Sequence, residues 1–171
     1  QGDIRILLNQ EQTGFASSAY AMHGTSVCDL GLRLSDGQAA TQRAAALGAA
    51  PFAQPAGPGE LDIPAIRSVG GSLLHFIDEA SGLADVWSVE FRPAGGAAPM
   101  PAGLTRIDHI AETMNYDEML SWALFYTSIF EMQRAAMNDV IDPDGLVRSQ
   151  AIKTPDGAAR ITLNGAETHR T

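Results

Sequence analysis

Polar and apolar positions change rhythm several times along this chain. Over residues 27–34, Cys28, Leu30, Leu32 and Leu34 fall on one side of an extended segment, and Val27, Asp29, Gly31 and Arg33 on the other. A period of two predicts a strand. Residues 3–8 carry β-branched residues with partial alternation and predict another strand. It has no earlier segment to pair with, so the chain is expected to begin inside a larger protein. Residues 38–47 are rich in good helix formers, with Ser35 or Asp36 placed to cap them and Gly48 to end them. Residues 51–58 hold three prolines and predict a loop. Residues 61–67 and 72–78 predict two strands joined near Gly70-Gly71, and residues 86–91 a short strand.

The rhythm then starts again. Residues 93–103 are almost entirely Pro, Ala, Gly and Met and predict a linker. Residues 104–111 predict a strand and residues 116–130 the strongest helix. There Met119, Trp122, Ala123, Tyr126, Ile129 and Phe130 share one face, and Asn115 with Glu118 has the spacing of a capping box. Three strands are expected at 131–137, 146–153 and 159–163, the last two joined by Pro155-Asp156-Gly157. Strand, helix and three strands therefore occur twice. The expected organisation is a first module at 1–92, a linker at 93–103 and the first part of a second module at 104–171. The fold class is α+β: tandem βαβββ modules, truncated at both ends, with antiparallel sheets backed by helices on one side.

Composition narrows the chemistry. The 171 residues are 45% hydrophobic, enough for a core, and carry 20 acidic against 11 basic side chains, a net charge of −9. Such a chain repels phosphate backbones and anionic lipid, so neither nucleic acid nor a membrane is an expected partner. No apolar run is long enough to span a bilayer. Cys28 is the only cysteine, which excludes an internal disulfide and a multi-cysteine zinc site and suits a reducing, cytoplasmic setting. On its strand's apolar side Cys28 is expected to be a buried, inert thiol. His75, between Leu74 and Phe76, is expected to be a packed or edge residue, and His23 an exposed loop residue. Within 104–111, alternation groups His109 with Thr105, Ile107 and Ala111. A lone imidazole among small or apolar neighbours suits either a metal cavity or a bond to backbone.

Several segments together carry a resemblance. Ile107-Asp108-His109-Ile110, the helix segment 122–130, Leu146-Val147-Arg148-Ser149 and residues 158–164 resemble the vicinal oxygen chelate superfamily, specifically 4-hydroxyphenylpyruvate dioxygenase-like proteins. Residues 2–8, 23–34 and 63–76 resemble that family's metal-free N-terminal half. Residues 142–149 are also similar to the dioxygenase-like region of proteins with an upstream sugar-phosphate-isomerase-type barrel, associated with 3-dehydroshikimate dehydratase activity.

The resemblance implies a non-haem Fe(II)-type oxygenase region acting on an aromatic 2-keto acid. Two histidines and a carboxylate would hold Fe(II) or another divalent metal and leave positions open for substrate and dioxygen. His109 matches the first histidine. Ser149 and Asn164 match substrate-contacting positions; as bare residue types they suit strand-end capping equally well. The other two ligands are expected beyond Thr171. Glu167 and His169 read as solvated tail residues, so this segment alone lacks a full metal triad. The implied partners are a keto acid, a covalently linked barrel domain and, in some settings, a second copy of the chain. The alternative is a non-catalytic or regulatory dioxygenase-like domain of a dehydratase fusion. A small-ligand binding protein on the same fold is a third reading.

Overall fold

A computed structural model describes residues 4–93, 95, 102–143 and 145–166. The chain divides into two compact units, Gln1–Arg106 and Ile107–Thr171. Most of the expected linker at 93–103, and Glu167 and His169, lie outside the described residues.

In the first unit, helix α1 (Gly14–His23) precedes strand β1 (Asp29–Leu34), helix α2 (Gly37–Ala46), and strands β2 (Pro51–Phe52), β3 (Ala65–Arg67) and β4 (Leu73–Asp78). A short helix, α3 (Val86–Val89), follows. The sheet order is β1-β4-β3-β2, with β1 parallel to β4 and the other pairs antiparallel. Asp36 caps α2 by accepting from the Ala39 N–H at 2.8 Å. Gly48, just beyond the helix, takes the left-handed φ of 83°. Gly70 and Gly71 supply the positive φ, 62° and 81°, of the turn between β3 and β4. The core is Ala44, Ile66, Leu73, Leu74 and Phe76.

The second unit repeats the plan. Strand β5 (Ile110–Asn115) leads into helix α4 (Met119–Ile129), then strands β6 (Gln133–Asp142), β7 (Gly145–Lys153) and β8 (Arg160–Ala166). The order is β5-β8-β7-β6, with β5 parallel to β8. Met119, Ala123, Tyr126 and Ile129 of α4 are buried with Met114, Ile152, Ile161 and Leu163 of the sheet. Gly165 lets the helix entrance approach. A Cβ there would lie 2.9 Å from the Tyr116 ring and 3.1 Å from the Tyr116 Cα.

Several local expectations need correction. Residues 4–8 form no strand; Ile6, Leu7 and Leu8 are exposed, and no strand among the described residues lies beside them to supply hydrogen bonds. The short strand expected at 86–91 is replaced by α3, Val86–Val89, despite its two valines, and Trp87 packs against Phe91 with ring centroids 5.3 Å apart. Pro51-Phe52, expected in a loop, pairs with Ala65 and Ile66 as an edge strand, where a missing proline N–H costs no ladder bond. The strand expected at 104–111 starts only at Ile110. Its partner β8 begins at Arg160 after a turn, so the ladder does not extend back to the residues before Ile110. Asn115 and Glu118 bond side chain to side chain at 3.1 Å, and the chain enters α4 through a 3-10 turn instead of a capping box.

Candidate functional site

One face of the second sheet is covered by α4; the other carries the candidate site. Register fixes which residues share that other face, because directly paired residues point the same way and successive residues alternate. Thr113 pairs with Asn164, Asn164 with Ser149, and Ser149 with Asn138. These four form one row across β5, β8, β7 and β6, roughly 14 Å wide at ordinary strand spacing. Ser149 and Asn164 are half-buried, and Thr113 and Asn138 exposed. None of the four side chains makes a hydrogen bond to any described residue. Neighbouring rows on this face hold mostly small or apolar side chains: Ala111, Thr162 and Ala151 to one side, and Ala166, Val147 and Val140 to the other, where Asn115 completes the row and spends its amide on Glu118. The result is a shallow apolar floor crossed by a strip of neutral donors and acceptors. Such a surface orients an organic ligand by hydrogen bonds without competing for a cation.

The structure thus brings Ser149 and Asn164 into direct opposition on antiparallel strands. Thr113 and Asn138 complete the row and were not singled out by sequence. Alternation within β5 was available to find Thr113; Asn138 needed the strand pairing.

His109 stands one residue before β5, four residues and roughly 13 Å of strand from Thr113. Its Nδ1 lies 2.9 Å from Asp108 Oδ2, and Arg160 donates to the same Asp108 oxygen at 3.1 Å. A proton on Nδ1 leaves the Nε2 lone pair free, the arrangement in which a carboxylate orients a metal-binding histidine. The ring is about half exposed, with 47% of the side chain accessible. Among the described residues no three His, Cys, Asp or Glu side chains form a group able to hold a metal ion. The described residues therefore do not make a complete facial site.

On the helix side of β5, Glu112 accepts from the Tyr126 hydroxyl at 2.8 and 3.0 Å through its two oxygens. Burial pushes its carboxyl pKa up, and the Tyr126 bond partly opposes that. The first unit shows different chemistry. His75 Nδ1 meets Asp29 Oδ1 at 2.8 Å. Half-buried Cys28 has its thiol pKa raised by burial and by the Asp29 charge, which keeps it protonated and unreactive. It is less buried than its place on the apolar side of the strand suggests. His23 is exposed, as the last residue of α1.

Two mixed four-stranded sheets of the same order, each with a helix after its first strand, define a fold of the vicinal oxygen chelate type. The hydroxyphenylpyruvate dioxygenase N-terminal model matches residues 1–92, and the chain belongs to the 4-hydroxyphenylpyruvate dioxygenase family. It is 38% identical, over its full length, to a 3-dehydroshikimate dehydratase of Pseudomonas putida and spans 27% of that protein. It is 37% identical over 96% of its length to a 4-hydroxyphenylpyruvate dioxygenase of a Pseudomonas species, spanning 46% of it. A solved xylose isomerase-like TIM barrel/4-hydroxyphenylpyruvate dioxygenase fusion protein superposes with a TM-score of 0.78 at 37% identity. That match covers 98% of this chain and 26% of the other. A 4-hydroxymandelate synthase variant from Streptomyces coelicolor shares the fold, at a TM-score of 0.67 and 18% identity, over 94% of this chain and 46% of that one. The chain thus spans between a quarter and half of these proteins. Among the described residues no helix is long and apolar enough to cross a membrane.

Proposed function

We propose that this chain is the part of a keto-acid oxygenase that supplies the substrate floor and the first metal ligand. The observation that carries the reading is the opposition of Ser149 and Asn164 on the open face of the second sheet, with no partner of their own. In this reading His109 offers Nε2 to Fe(II), or another divalent ion, with Asp108 holding the ring. Two further ligands come from parts of the relatives' length that this chain does not span. Residues 1–92 then act as the metal-free module, residues 93–103 as a linker and residues 104–171 as the opening of the metal-site module. The Ser149 hydroxyl and Asn164 carboxamide orient an aromatic 2-keto acid.

A second reading is favoured by the full-length match to the dehydratases and to the barrel fusion. In it, the chain is a dioxygenase-like region linked to an upstream barrel, and the dehydration chemistry belongs to the barrel. One experiment separates the two. The longer parent protein, loaded with iron, is assayed for keto-acid-dependent oxygen uptake and for dehydratase activity, as wild type and as His109→Ala. The first reading expects oxygen uptake that His109→Ala abolishes together with iron content. Absence of uptake, with dehydratase activity indifferent to His109→Ala, would favour the second.

A further inference from the structure

One carboxylate oxygen joins two parts of the second unit that are far apart in sequence. Asp108 Oδ2 lies 2.9 Å from His109 Nδ1 and accepts from Arg160 Nη1 at 3.1 Å. Nothing in the local chain dictates the first of these bonds. Successive side chains of an extended segment point to opposite sides, and an aspartate in irregular chain has backbone N–H groups to bond instead. Asp108 and His109 also precede β5 and stand outside its ladder with β8. Arg160, by contrast, is firmly placed. It opens β8, and the next residue, Ile161, is buried and paired on both sides, with Ile110 of β5 and Ile152 of β7. Alternation along β8 then sends Arg160 to the open face with Thr162 and Asn164. Directly opposite it on β7 stands Lys153. Like charges in that relation repel, which turns the guanidinium away from β7 and toward Asp108.

We infer that Arg160 is a positioning residue: by pinning Asp108, it fixes the His109 ring with its proton on Nδ1 and its Nε2 lone pair free. This rests on the metal-ligand reading of His109 above and adds the group that enforces it. The tautomer of a histidine follows the hydrogen bond that its ring makes. With Asp108 released to solvent, the proton is free to sit on Nε2 and the ring is free to turn, and both changes weaken Nε2 as a donor to a cation. A guanidinium suits the task, because it is always charged and its N–H groups are rigidly directed. The Arg160 and Asp108 side chains are 38% and 49% exposed, and an ion pair that open adds little to fold stability. Its effect falls on the ring. The same strand then serves both halves of the proposed site, Arg160 through the ligand and Asn164 through the substrate floor.

The test is equilibrium binding of Co(II), without oxygen, to the longer parent protein as wild type, His109→Ala, Arg160→Met, Arg160→Lys, Asp108→Ala and the double variant Arg160→Met/Asp108→Ala. The site is the Co(II) that His109→Ala releases. Arg160→Met should weaken it about 10–100-fold, the usual cost of removing the support behind a ligand. Arg160→Lys, which keeps the charge without the directed N–H geometry, should fall between it and wild type. Asp108→Ala should cost at least as much as Arg160→Met, and the double variant no more than Asp108→Ala alone, because Arg160 acts through Asp108. Urea midpoints without metal should coincide. Wild-type affinity in Arg160→Met, or losses that multiply in the double variant, would overturn the inference and leave His109 a ligand. A loss that merely tracks a lowered urea midpoint would do the same. If Arg160→Met does not fold, Arg160→Lys and its double variant with Asp108→Ala carry the same comparison. Co(II) binding unchanged in His109→Ala would overturn the metal-ligand reading, and this inference with it.

Discussion

The two units share a strand order and a helix position, yet each handles a buried carboxylate differently. In the first, Asp78 ends β4 at 4% exposure and accepts from the Ser81 hydroxyl at 2.6 Å, the Ser81 N–H at 2.7 Å and the Gly37 N–H at 2.8 Å. Those donors hold its pKa below the ordinary carboxylate value, the Ser81 bonds first and the Gly37 bond after them, against the opposing effect of burial. In the second, Glu112 has a single phenol as donor, and burial dominates. Asp78 is an ionic staple between the end of β4 and the start of α2. Glu112 is an acid kept partly out of water for the sake of a contact to α4. The open faces differ in the same sense. His75 and Asp29 satisfy each other in the first unit, while Thr113, Asn164, Ser149 and Asn138 in the second satisfy nothing in the described chain. Polar groups that have found partners hold structure. The row left without partners among the described residues is what the proposed keto-acid reading rests on.

The largest effect on this comparison is expected at Tyr126, which is 1% exposed. Tyr126→Ala removes a buried ring and strips Glu112 of its donor, so the second unit should lose about 3–5 kcal/mol. Each unit holds one of the two tryptophans, Trp87 and Trp122. In a Trp87→Phe background, Trp122 fluorescence during urea unfolding reports the second unit. A shift worth less than about 1 kcal/mol would show that α4 does not rest on Tyr126. The same ranking places Phe130→Ala, at a half-buried position, below Tyr126→Ala.

Gly165→Ala should come next, at about 1–3 kcal/mol, because the added methyl meets the Tyr116 Cα as well as its ring, and backbone yields less readily than a side-chain tip. The same fluorescence measurement checks it. An unchanged midpoint would mean that the turn before α4 shifts freely.

Much of this architecture was legible in sequence, for physical reasons. The helix at Met119–Ile129 and the hairpin at Gly70-Gly71 are set by local signals: a three-to-four spacing of large apolar residues and a glycine pair. Ser149 and Asn164 were reached through resemblance, and pairing then put them opposite each other. What was not legible depended on partners distant in sequence. Residues 4–8 look like a strand but pair with no strand among the described residues, and the start of β5 is set by where β8 begins. α1 has no strong apolar stripe, only Ala19 being buried, so periodicity did not reveal it. Asn138 depended on a bulge in β6 between Arg134 and Met137, which leaves no mark in alternation until the partner strand is known.

The smallest effects are those of pH, and they should have opposite signs in the two units. Asp78 binds a proton less readily folded than unfolded. Its contribution is therefore present above the unfolded-state value of about 3.9 and is lost as pH falls through the lower folded value. Asp78→Asn should flatten the acid limb of the Trp87-reported transition and leave the Trp122-reported one alone. Glu112 behaves the other way. Its folded pKa is raised, so the native state binds the proton more tightly, and stability falls as pH rises from the unfolded-state value through the folded one. Above both values the cost is fully present. Glu112→Gln removes it while the amide oxygen still accepts from Tyr126, so the variant's second unit should be the more stable at pH 7. Below about pH 4 glutamate is protonated in both states, and the advantage should vanish. Urea midpoints of the Trp122 signal at pH 7 and pH 4 decide the matter. A variant less stable at pH 7 than wild type would mean that the ionised Glu112–Tyr126 bond outweighs the cost of burying the charge. The two carboxylates would then be the same kind of staple.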